Sequence, residues 1–575
     1  MAALQQYEPR IRETKSIQAE LCRFFFAEFF ESEFITVPGQ LKVLLVGLLA
    51  ILLSLGAPFA QAYYHKYRLL NTLDDPAPFH SAVLADVLFL VTGTMLVAAL
   101  ATVLQWPALF PSRRDYLALA SLPIRSSQIF VAKLGALVGF ILLVIAAVAV
   151  PASGLPGLMR GRHGGSMAGH VPGIFIACMA GGLFVFFMLV ALQGLLLNLL
   201  PSRLSERISP TIQATLLLGL LLSLPGVILT AGLNNQMGQR PDWMFWAPPL
   251  WFLGLEQTIA GTQDPVAFRL AGWGAAGVGI AAAAVILAYV WSYQRHRALV
   301  LEGVAGRRRE PWGLWATLEA TVLPNPRTQA VFSFILKTLA RSPQHRLILT
   351  GFVGIALAAV AESLAGYALS SFRGESASVV PVQVAVAGPL VLTLFTLAGF
   401  RFLFRLPAEL KANWLLRTTE PGHGPELLAA TDRFLLYAGV APLMALSVVF
   451  EIYLLGSRMG LVAALLIAAV GPLLVEVLLF TFGRIPFTSS YLPGRRPLIE
   501  TLLLYGVGFV VYVSLQSAVI AWCLTSPVGA LVFAGTAAVV RRKLRVERLD
   551  TLCLGRLDFE EIQEPTVQVI GIEGD

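Results

Sequence analysis

The sequence predicts an all-α polytopic membrane protein with about 12 transmembrane helices. Hydrophobic residues form 57% of the chain and charged residues 13%, which excludes a water-soluble globular protein. Stretches such as 134–159, 171–202 and 208–239 contain no Lys, Arg, Asp or Glu, and each exceeds the roughly 20 apolar residues that cross a bilayer as a helix. Because these runs are uninterrupted and do not alternate every second residue, an outer-membrane β-barrel is disfavoured.

The predicted spans form two groups of six. Twelve spans place both termini on one side, and loops on that side carry most of the 42 Lys and Arg residues. Since basic loops stay inside, both termini are predicted to be cytoplasmic. This topology and contact with anionic membrane lipids explain the net charge of +8, so no nucleic-acid partner is expected. The predicted spans are 41–62, 81–105, 129–152, 172–199, 209–233 and 268–292, followed by 347–370, 380–404, 433–455, 459–483, 499–523 and 526–541.

A basic loop containing Arg307, Arg308 and Arg309 separates the two groups. Each half is predicted to begin with an amphipathic helix at the membrane interface. The apolar positions of these two helices are Ile17, Leu21, Phe24 and Phe25, and Phe332, Ile335, Leu336 and Leu339. The predicted organisation is a first half at 1–292, a cytoplasmic linker at 293–325, a second half at 326–541 and a cytoplasmic C-terminal tail at 542–575.

A polar segment interrupts the apolar sequence between the second and third spans of each half, at 109–133 and 406–433. Both segments predict a helix, a proline break and a second helix, with the break at Pro123 in one and at Pro421 in the other. The two breaks are roughly 300 residues apart, and prolines in the next cytoplasmic loops share a similar offset. The pattern predicts two pseudo-repeated halves of six helices.

The first helix of the 109–133 segment is predicted to lie across the cytoplasmic membrane surface. With both ends tied to spanning helices, such a helix converts a push from outside the bilayer into tilting of those spans. Its aromatic and charged residues suit a protein-docking surface. An ordinary basic loop is the alternative, but a loop without a function has no reason to occur in both halves. The docking residues predicted here are Arg113, Arg114, Asp115, Tyr116, Leu117 and Leu119.

The two polar segments carry a family resemblance. SRRDYLALASLPIRSSQIFVAK has a charged start, a Leu-Pro break and Lys133 at the start of the third span, and PAELKANWLLR occupies the same place in the second half. Over essentially its whole length the chain resembles a permease of the ABC-2 type (type V exporter-like), the membrane subunit of ATP-driven bacterial exporters. The resemblance implies the bacterial inner membrane and two ATPase-coupling helices. The coupling residues it implies are Arg113, Arg114, Asp115, Tyr116, Leu117, Leu122 and Pro123, and Glu409, Asn413, Trp414 and Arg417.

The same resemblance implies a membrane-dipping segment on the outer side, before the last span of the first half. The sequence FWAPPLWFLGLEQTIAG at 245–261 fits this place. Pro248 and Pro249 are expected to break any helix there, and Trp251 and Phe252, together with Trp246, also fit an ordinary aromatic belt at the outer interface. In the second half only a few residues join the last two spans, so an equivalent segment is missing or much reduced.

ATP hydrolysis is expected from a separate chain. The sequence contains no GxxxxGK[ST] phosphate-binding motif and no soluble stretch that could hold a nucleotide-binding domain. The chain is therefore not predicted to be an enzyme or to bind a cofactor directly; ATP and Mg²⁺ would act in the partner. Two coupling segments imply two ATP-binding subunits for one copy of the chain, and a homodimer is the less economical alternative.

Acidic residues within the predicted spans are costly and are often functional. Topology places Asp86, Glu362 and Glu451 in the outer half of the membrane and Glu476 in the inner half. They could line an external mouth, take up protons or pair with polar neighbours. Ion-coupled secondary transport is therefore an alternative function, and a membrane-embedded lipid- or sugar-modifying enzyme is a weaker one. No metal site is predicted, because His163 and His170 lack a nearby carboxylate in the sequence.

Overall fold

The computed structural model describes residues 7–28, 61, 63–111, 119, 126–154, 169–230, 245–299, 325–372, 380–406, 424–480, 482–488 and 498–553. Throughout these ranges the regular secondary structure is helical, and they contain no strand. They include ten helical segments that are long and apolar enough to cross a membrane. These observations support the predicted class, a polytopic α-helical membrane protein.

The chain divides into two compact units, Met1–Arg307 and Arg308–Asp575, and the division falls inside the predicted linker. A short 3-10 helix, Trp106–Ala108, follows the second helix of the first unit. The described α-helices of the first unit are α1 (Tyr7–Glu28), α2 (Ala77–Leu104), α3 (Ser126–Gly154), α4 (His170–Leu199), α5 (Ser202–Leu222), α6 (Leu224–Thr230), α7 (Pro248–Ile259) and α8 (Pro265–Leu299).

Helix α4 lies at the centre of the first unit, where it packs against α2, α3, α7 and α8. Glycines make these close approaches possible. A Cβ added at Gly182 would lie 2.8 Å from the Ile145 side chain, and one at Gly194 would lie 2.5 Å from the Ala288 Cβ. Two hydrophobic clusters result, one around Phe252 towards the predicted outer side and one around Trp106 towards the predicted cytoplasmic side.

The second unit contains eight described α-helices and one π-helical segment, Leu435–Val440. Its first helix begins at Pro326 because the Asn325 side chain accepts a hydrogen bond from the Arg327 backbone N–H at 3.0 Å, and proline fits the first helical position. The helices are α9 (Pro326–Arg341), α10 (Pro343–Phe372), α11 (Val382–Leu403), α12 (Gly424–Phe434), α13 (Ala441–Leu455), α14 (Ser457–Leu479), α15 (Leu498–Cys523) and α16 (Pro527–Cys553).

Helix α11 is central to the second unit and packs against α10, α13, α14 and α15. The same two predicted spans of each half are the most buried of those described. In the first unit they are α2 and α4, with 56% and 44% of their apolar windows buried, and in the second they are α11 and α14, with 61% and 50%. The remaining spans expose more apolar side chains, as helices in contact with lipid do.

Ten of the predicted spans correspond to the ten apolar helical segments. The predicted first span, 41–62, lies outside the described residues. The predicted twelfth, 526–541, falls within α16, which continues into the charged stretch around Arg542 and is not among the ten. Twelve spans therefore stay a prediction. The ten segments are Ala77–Leu104, Ser127–Gly154, His170–Leu199, Ile208–Val227, Pro265–Ser292, Pro343–Ala365, Val382–Leu403, Glu426–Leu455, Ser457–Leu479 and Gly506–Cys523.

Candidate functional site

The candidate site consists of the helix ends that hold two polar loops, named here the first loop (112–125) and the second loop (407–423). Most residues of both loops lie outside the described residues, so their predicted coupling roles stay predictions. Leu119 is described: its side chain is half-buried and packs against the hydrophobic cluster around Trp106, and its docking role stays a prediction. The predicted residues outside the described ranges are Arg113, Arg114, Asp115, Tyr116, Leu117, Leu122, Pro123, Glu409, Asn413, Trp414 and Arg417.

Trp106 fixes the chain just before the first loop. Its ring is 1% exposed, and its Nε1–H donates to Ser209 Oγ of α5 at 2.8 Å. Gln193 of α4 donates from Nε2 to the Trp106 carbonyl oxygen at 2.7 Å. Burial of an indole N–H or of a carbonyl oxygen costs free energy unless the group is hydrogen-bonded. The two bonds therefore tie the beginning of the loop to two spanning helices.

Tyr289 of α8 joins both ends of the first loop. Its hydroxyl donates to the carbonyl oxygen of Leu109. Its ring stacks on Phe110, with centroids 4.5 Å apart, and meets Phe130 of α3 edge to face at 6.1 Å. Phe110 precedes the loop and Phe130 follows it, so one aromatic side chain clamps the base of the loop. A displacement of the loop would consequently act on α2, α3 and α8 together.

Helix α1 packs against α3, the helix that follows the first loop. The Lys133 ammonium of α3 lies 4.7 Å from the centre of the Phe25 ring of α1, a cation–π contact that stabilises a lysine only 1% exposed. Gln18 donates from Nε2 to the Gln128 carbonyl oxygen at 3.4 Å. The amphipathic helix predicted before the first half is thus fixed to the end of the first loop.

In the second unit, α9 has the corresponding relation to α12, which follows the second loop. Arg327 Nη1 lies 3.2 Å from Glu426 Oε2, and Thr328 Oγ1 donates to the Glu426 carbonyl oxygen at 3.3 Å. The rings of Phe332 and Phe434 meet edge to face at 5.4 Å. The helix predicted before the second half is therefore fixed to the end of the second loop by both charge and packing.

Phe404 holds the beginning of the second loop. Its ring packs against Phe434, which lies after the loop, with centroids 6.2 Å apart. Its carbonyl oxygen accepts a hydrogen bond from the Phe487 backbone N–H at 2.9 Å, and the two rings meet edge to face. Phe487 has φ 67°, a left-handed conformation that is uncommon for a bulky residue. This strained conformation persists because the hydrogen bond and the aromatic packing fix it.

A buried ion cluster connects the end of the second loop to α16. Arg548 of α16 donates from Nη2 to Asp432 Oδ1 at 2.8 Å and from Nη1 to Glu476 Oε2 at 3.2 Å. The side chains of Arg548 and Glu476 are each 3% exposed, and that of Asp432 is 13% exposed. Because Asp432 is in α12, Glu476 in α14 and Arg548 in α16, this cluster links three helices at the predicted cytoplasmic end.

On the predicted outer side, α7 lies in the segment that was expected to dip into the membrane. The expectation that Pro248 and Pro249 break any helix was wrong: α7 begins at Pro248, because first-turn N–H groups have no partner within a helix and proline lacks one. Phe252 is fully buried against Phe184, so it does not belong to an aromatic belt. At 12 residues, α7 is too short to cross a bilayer.

Glu256 of α7 pairs with His170 at the start of α4, with Oε1 2.5 Å from Nδ1. The glutamate side chain is 1% exposed and that of the histidine 24%. A Cβ at Gly173 would lie 3.0 Å from the Glu256 carbonyl oxygen, so a larger residue there would force the two helices apart. His170 therefore anchors α7. The described ranges contain no group of three residues suited to hold a metal ion.

Asp86 is also paired. Lys66 Nζ lies 2.7 Å from both carboxylate oxygens, and the Tyr67 hydroxyl donates to Oδ2 at 2.6 Å. Burial and the neighbouring Asp86 carboxylate raise the pKa of the Tyr67 hydroxyl above its usual value. The hydroxyl consequently stays protonated and continues to donate at alkaline pH. These contacts hold the chain that precedes α2 against α2 itself.

The other two intramembrane acids differ from these. Glu362 of α10 is exposed. Glu451 of α13 is 0% exposed, yet neither of its carboxylate oxygens has a hydrogen-bond partner. The four acids predicted from the sequence therefore comprise two paired carboxylates, one exposed carboxylate and one that is buried and unpaired.

Sequence reasoning missed most of the residues that hold the two loops. Trp106, Tyr289 and Phe404 lie in apolar runs and resemble other aromatic residues of the spans. Arg548 belongs to a basic stretch that the positive-inside rule already explains. Glu476 was the residue that could have indicated this ion pair. A carboxylate in a span needs a partner, and a basic residue of a later segment on the predicted cytoplasmic side can supply one.

Comparison of the chain with protein-family models, with curated proteins and with solved structures finds no match. A functional proposal must therefore be argued from the contacts around the two loops.

Proposed function

We propose that the chain is the membrane permease subunit of an ABC transporter of the ABC-2 type, an exporter whose ATP hydrolysis occurs in separate subunits. The observation that carries this proposal is the packing around the residues that directly precede and follow each polar loop, here called the base of the loop. In each unit an aromatic cluster joins the residues before and after the loop, and an amphipathic helix packs on the helix that follows it. Such bases transmit a force applied to a loop into the spanning helices.

The two bases use different interactions for the same purpose. In the first unit, hydrogen bonds from Trp106, Gln193 and Tyr289 connect the loop to α4, α5 and α8. In the second, ion pairs of Glu426 and Asp432 connect it to α9 and α16. Both arrangements make a short loop mechanically continuous with several helices, a property that a passive connection between two spans does not require.

In this proposal the two halves are pseudo-repeats, each with one coupling helix, and one chain binds two ATP-binding subunits from the cytoplasmic side of the bacterial inner membrane. ATP and Mg²⁺ act in those subunits. Closure of the ATPase pair would push both loops, and the tilting of the spans would alternate access to a substrate pathway. The common burial of the second and fourth spans in each unit supports the repeat.

The proposal is tested by purifying the tagged full-length chain from its native host in mild detergent and identifying co-purifying proteins by mass spectrometry. An ATP-binding subunit is expected with the wild-type chain. Truncation of an aromatic anchor at an interface typically costs about 2 kcal/mol or more, roughly 30-fold in affinity. Tyr116→Ala combined with Arg113→Glu is therefore expected to weaken the association at the first loop by at least that factor, while the intact second loop still binds one ATPase.

Arg542→Glu is the control, because Arg542 is an exposed cationic residue of α16, outside both loops, and the substitution makes the same charge change as Arg113→Glu. It should retain the ATPase. Equal retention by a chain altered in both loops would contradict the proposal, as would transport by the purified chain driven by an ion gradient without ATP. The second result would identify the chain as a secondary transporter.

A further inference from the structure

Glu451 occupies an unusual position in the second unit. It lies in α13, one turn before the tight connection at Gly456 that leads into α14. Its side chain is completely buried, and both carboxylate oxygens lack hydrogen-bond partners. Buried carboxylates are normally paired with a cation or accept several hydrogen bonds. Glu451 does neither, whereas Asp86, Glu256 and Glu476 all have partners.

Helices α13 and α14 pack closely at Glu451. A Cβ added to Gly460 of α14 would lie 2.4 Å from the Glu451 carbonyl oxygen, so the two helices are in backbone contact at this point. Ser447, one turn earlier on α13, is also buried, but its hydroxyl donates to the Met444 carbonyl oxygen at 2.8 Å. The serine proton is therefore not available to the carboxylate.

Among the residues that the structure describes, no charged group compensates Glu451. The described elements that pack most extensively against α13 are α11, α14 and the π-helical segment. Their ionisable residues, and the other one near Glu451 on α13, form neither an ion pair nor a hydrogen bond with it. These residues are Arg401 of α11, Arg458 and Glu476 of α14, Tyr437 of the π-helical segment and Tyr453 of α13.

An ionised carboxylate in such a place would carry the full cost of desolvation with nothing to offset it, so the group takes up a proton instead. We propose that Glu451 is a proton-binding site: the carboxyl is neutral while the hairpin of α13 and α14 is closed, and the proton leaves to water when the two helices separate. Opening of this hairpin is consequently linked to proton release. The assignment does not depend on the proposed ATPase partner.

The sign of the pH effect follows from this linkage. A carboxyl that is neutral in the closed state and ionised in an open or unfolded state favours closure at low pH, and its contribution is lost as the pH rises. Glu451→Gln keeps the shape of the neutral side chain but cannot ionise. The full-length variant is therefore expected to lose less stability than the wild-type protein when the pH is raised.

The first measurement is thermal unfolding of the two proteins in detergent over a series of pH values. Convergence at low pH and a flatter profile for Glu451→Gln at high pH are expected. The second is labelling of membrane vesicles with dicyclohexylcarbodiimide, which reacts with protonated carboxyls in apolar surroundings. Glu451 should be modified, and less so as the pH rises, whereas Glu476, paired with Arg548, should remain unmodified under the same conditions.

Identical pH profiles for the wild-type protein and Glu451→Gln would overturn the proposal. So would labelling of Glu451 that does not change with pH, because the carboxyl would then not exchange its proton. Protection of Glu451 by Na⁺ or K⁺ at constant pH would also overturn it, by assigning the site to a metal cation.

Discussion

At the scale of single residues, Arg548 connects three helices through one buried cluster. It is buried and binds two carboxylates that belong to different helices. Desolvation of three charges is costly, and the Coulomb attraction offsets this cost only while all partners remain in place. The cluster therefore favours one arrangement of α16 relative to the end of the second loop.

Arg548→Ala is expected to reduce the free energy of unfolding by about 3–5 kcal/mol, because Asp432 and Glu476 would remain buried without their cation. Arg548→Lys should recover only part of the loss, since an ammonium group does not reproduce the two-pronged geometry of guanidinium. Unfolding of the purified protein in a mild detergent, followed by circular dichroism during denaturant titration, measures both.

Arg542→Ala serves as the matched control, because Arg542 is exposed on the same helix and exposed charges contribute little. Similar destabilisation by Arg548→Ala and Arg542→Ala would show that the buried cluster makes no special contribution.

At this scale the sequence predicts which residues are costly to bury in a span, but it does not predict which residues they pair with. Glu451 and Glu476 are both acids in apolar stretches. The pairing of Glu476 is set by the fold, since its partner Arg548 lies 72 residues further along the chain, and the other partner of Arg548, Asp432, is 116 residues from Arg548. The contrast between a paired Glu476 and an unpaired Glu451 therefore depends on packing between distant helices, which residue spacing does not reveal.

At the scale of helices, hydropathy locates the spans well and their ends less well. Ten predicted spans match apolar helical segments, because an uninterrupted apolar run can satisfy its backbone in a membrane only as a helix. Helix α16, however, continues to Cys553, past the predicted boundary at 541. Arg, Lys, Leu and Glu are good helix formers, so a change from apolar to charged residues ends the membrane stretch without ending the helix.

Proline has two opposite effects in these helices. Pro248 and Pro249 start α7, whereas Pro442 follows the π-helical segment Leu435–Val440. In the first case the missing N–H has no consequence, and in the second it removes a hydrogen bond within a continuous span. The sequence alone does not distinguish the two cases, because the difference is whether an apolar helix already precedes the proline.

Close packing between α4 and α8 positions the base of the first loop. A Cβ at Gly194 would lie 2.5 Å from the Ala288 Cβ and 3.0 Å from the Phe110 ring. Gly194→Ala should therefore destabilise the protein by about 1–3 kcal/mol through overpacking. It should also displace Phe110 and weaken the coupling between the first loop and the spans. Equilibrium unfolding and the ATPase association assay measure the two effects.

Gly279→Ala on α8 is the control, because nothing lies within 4 Å of the added Cβ. It should be neutral or stabilise the helix by up to about 1 kcal/mol. Equal stability of the two variants would show that α4 and α8 do not depend on this close contact.

At the scale of the whole molecule, the two units share a plan that their residues do not repeat. In both, the second and fourth spans are the most buried of the spans that the structure describes, and the amphipathic helix packs on the helix that follows the polar loop. The contacts themselves differ: a cation–π pair of Lys133 and Phe25 in one unit corresponds to an ion pair of Arg327 and Glu426 in the other. The positions of polar and apolar segments predict the order of these elements in each half, but not which spans are buried or where the amphipathic helices pack. The particular contacts were not predictable, because different side chains can satisfy the same packing.

The shared plan leads to a prediction about assembly. If each unit presents one coupling loop, one chain should bind two ATP-binding subunits, and the loops should act separately. Native mass spectrometry of the detergent-solubilised complex should give one chain with two ATPases. A chain with Tyr116→Ala and Arg113→Glu should keep one ATPase, as should a chain with Trp414→Ala and Arg417→Glu, because each retains one intact loop. A chain with all four substitutions should carry none. A complex with two copies of the chain would instead mean that each copy supplies half of the permease, and the two units would then be unequal parts of a larger symmetric assembly.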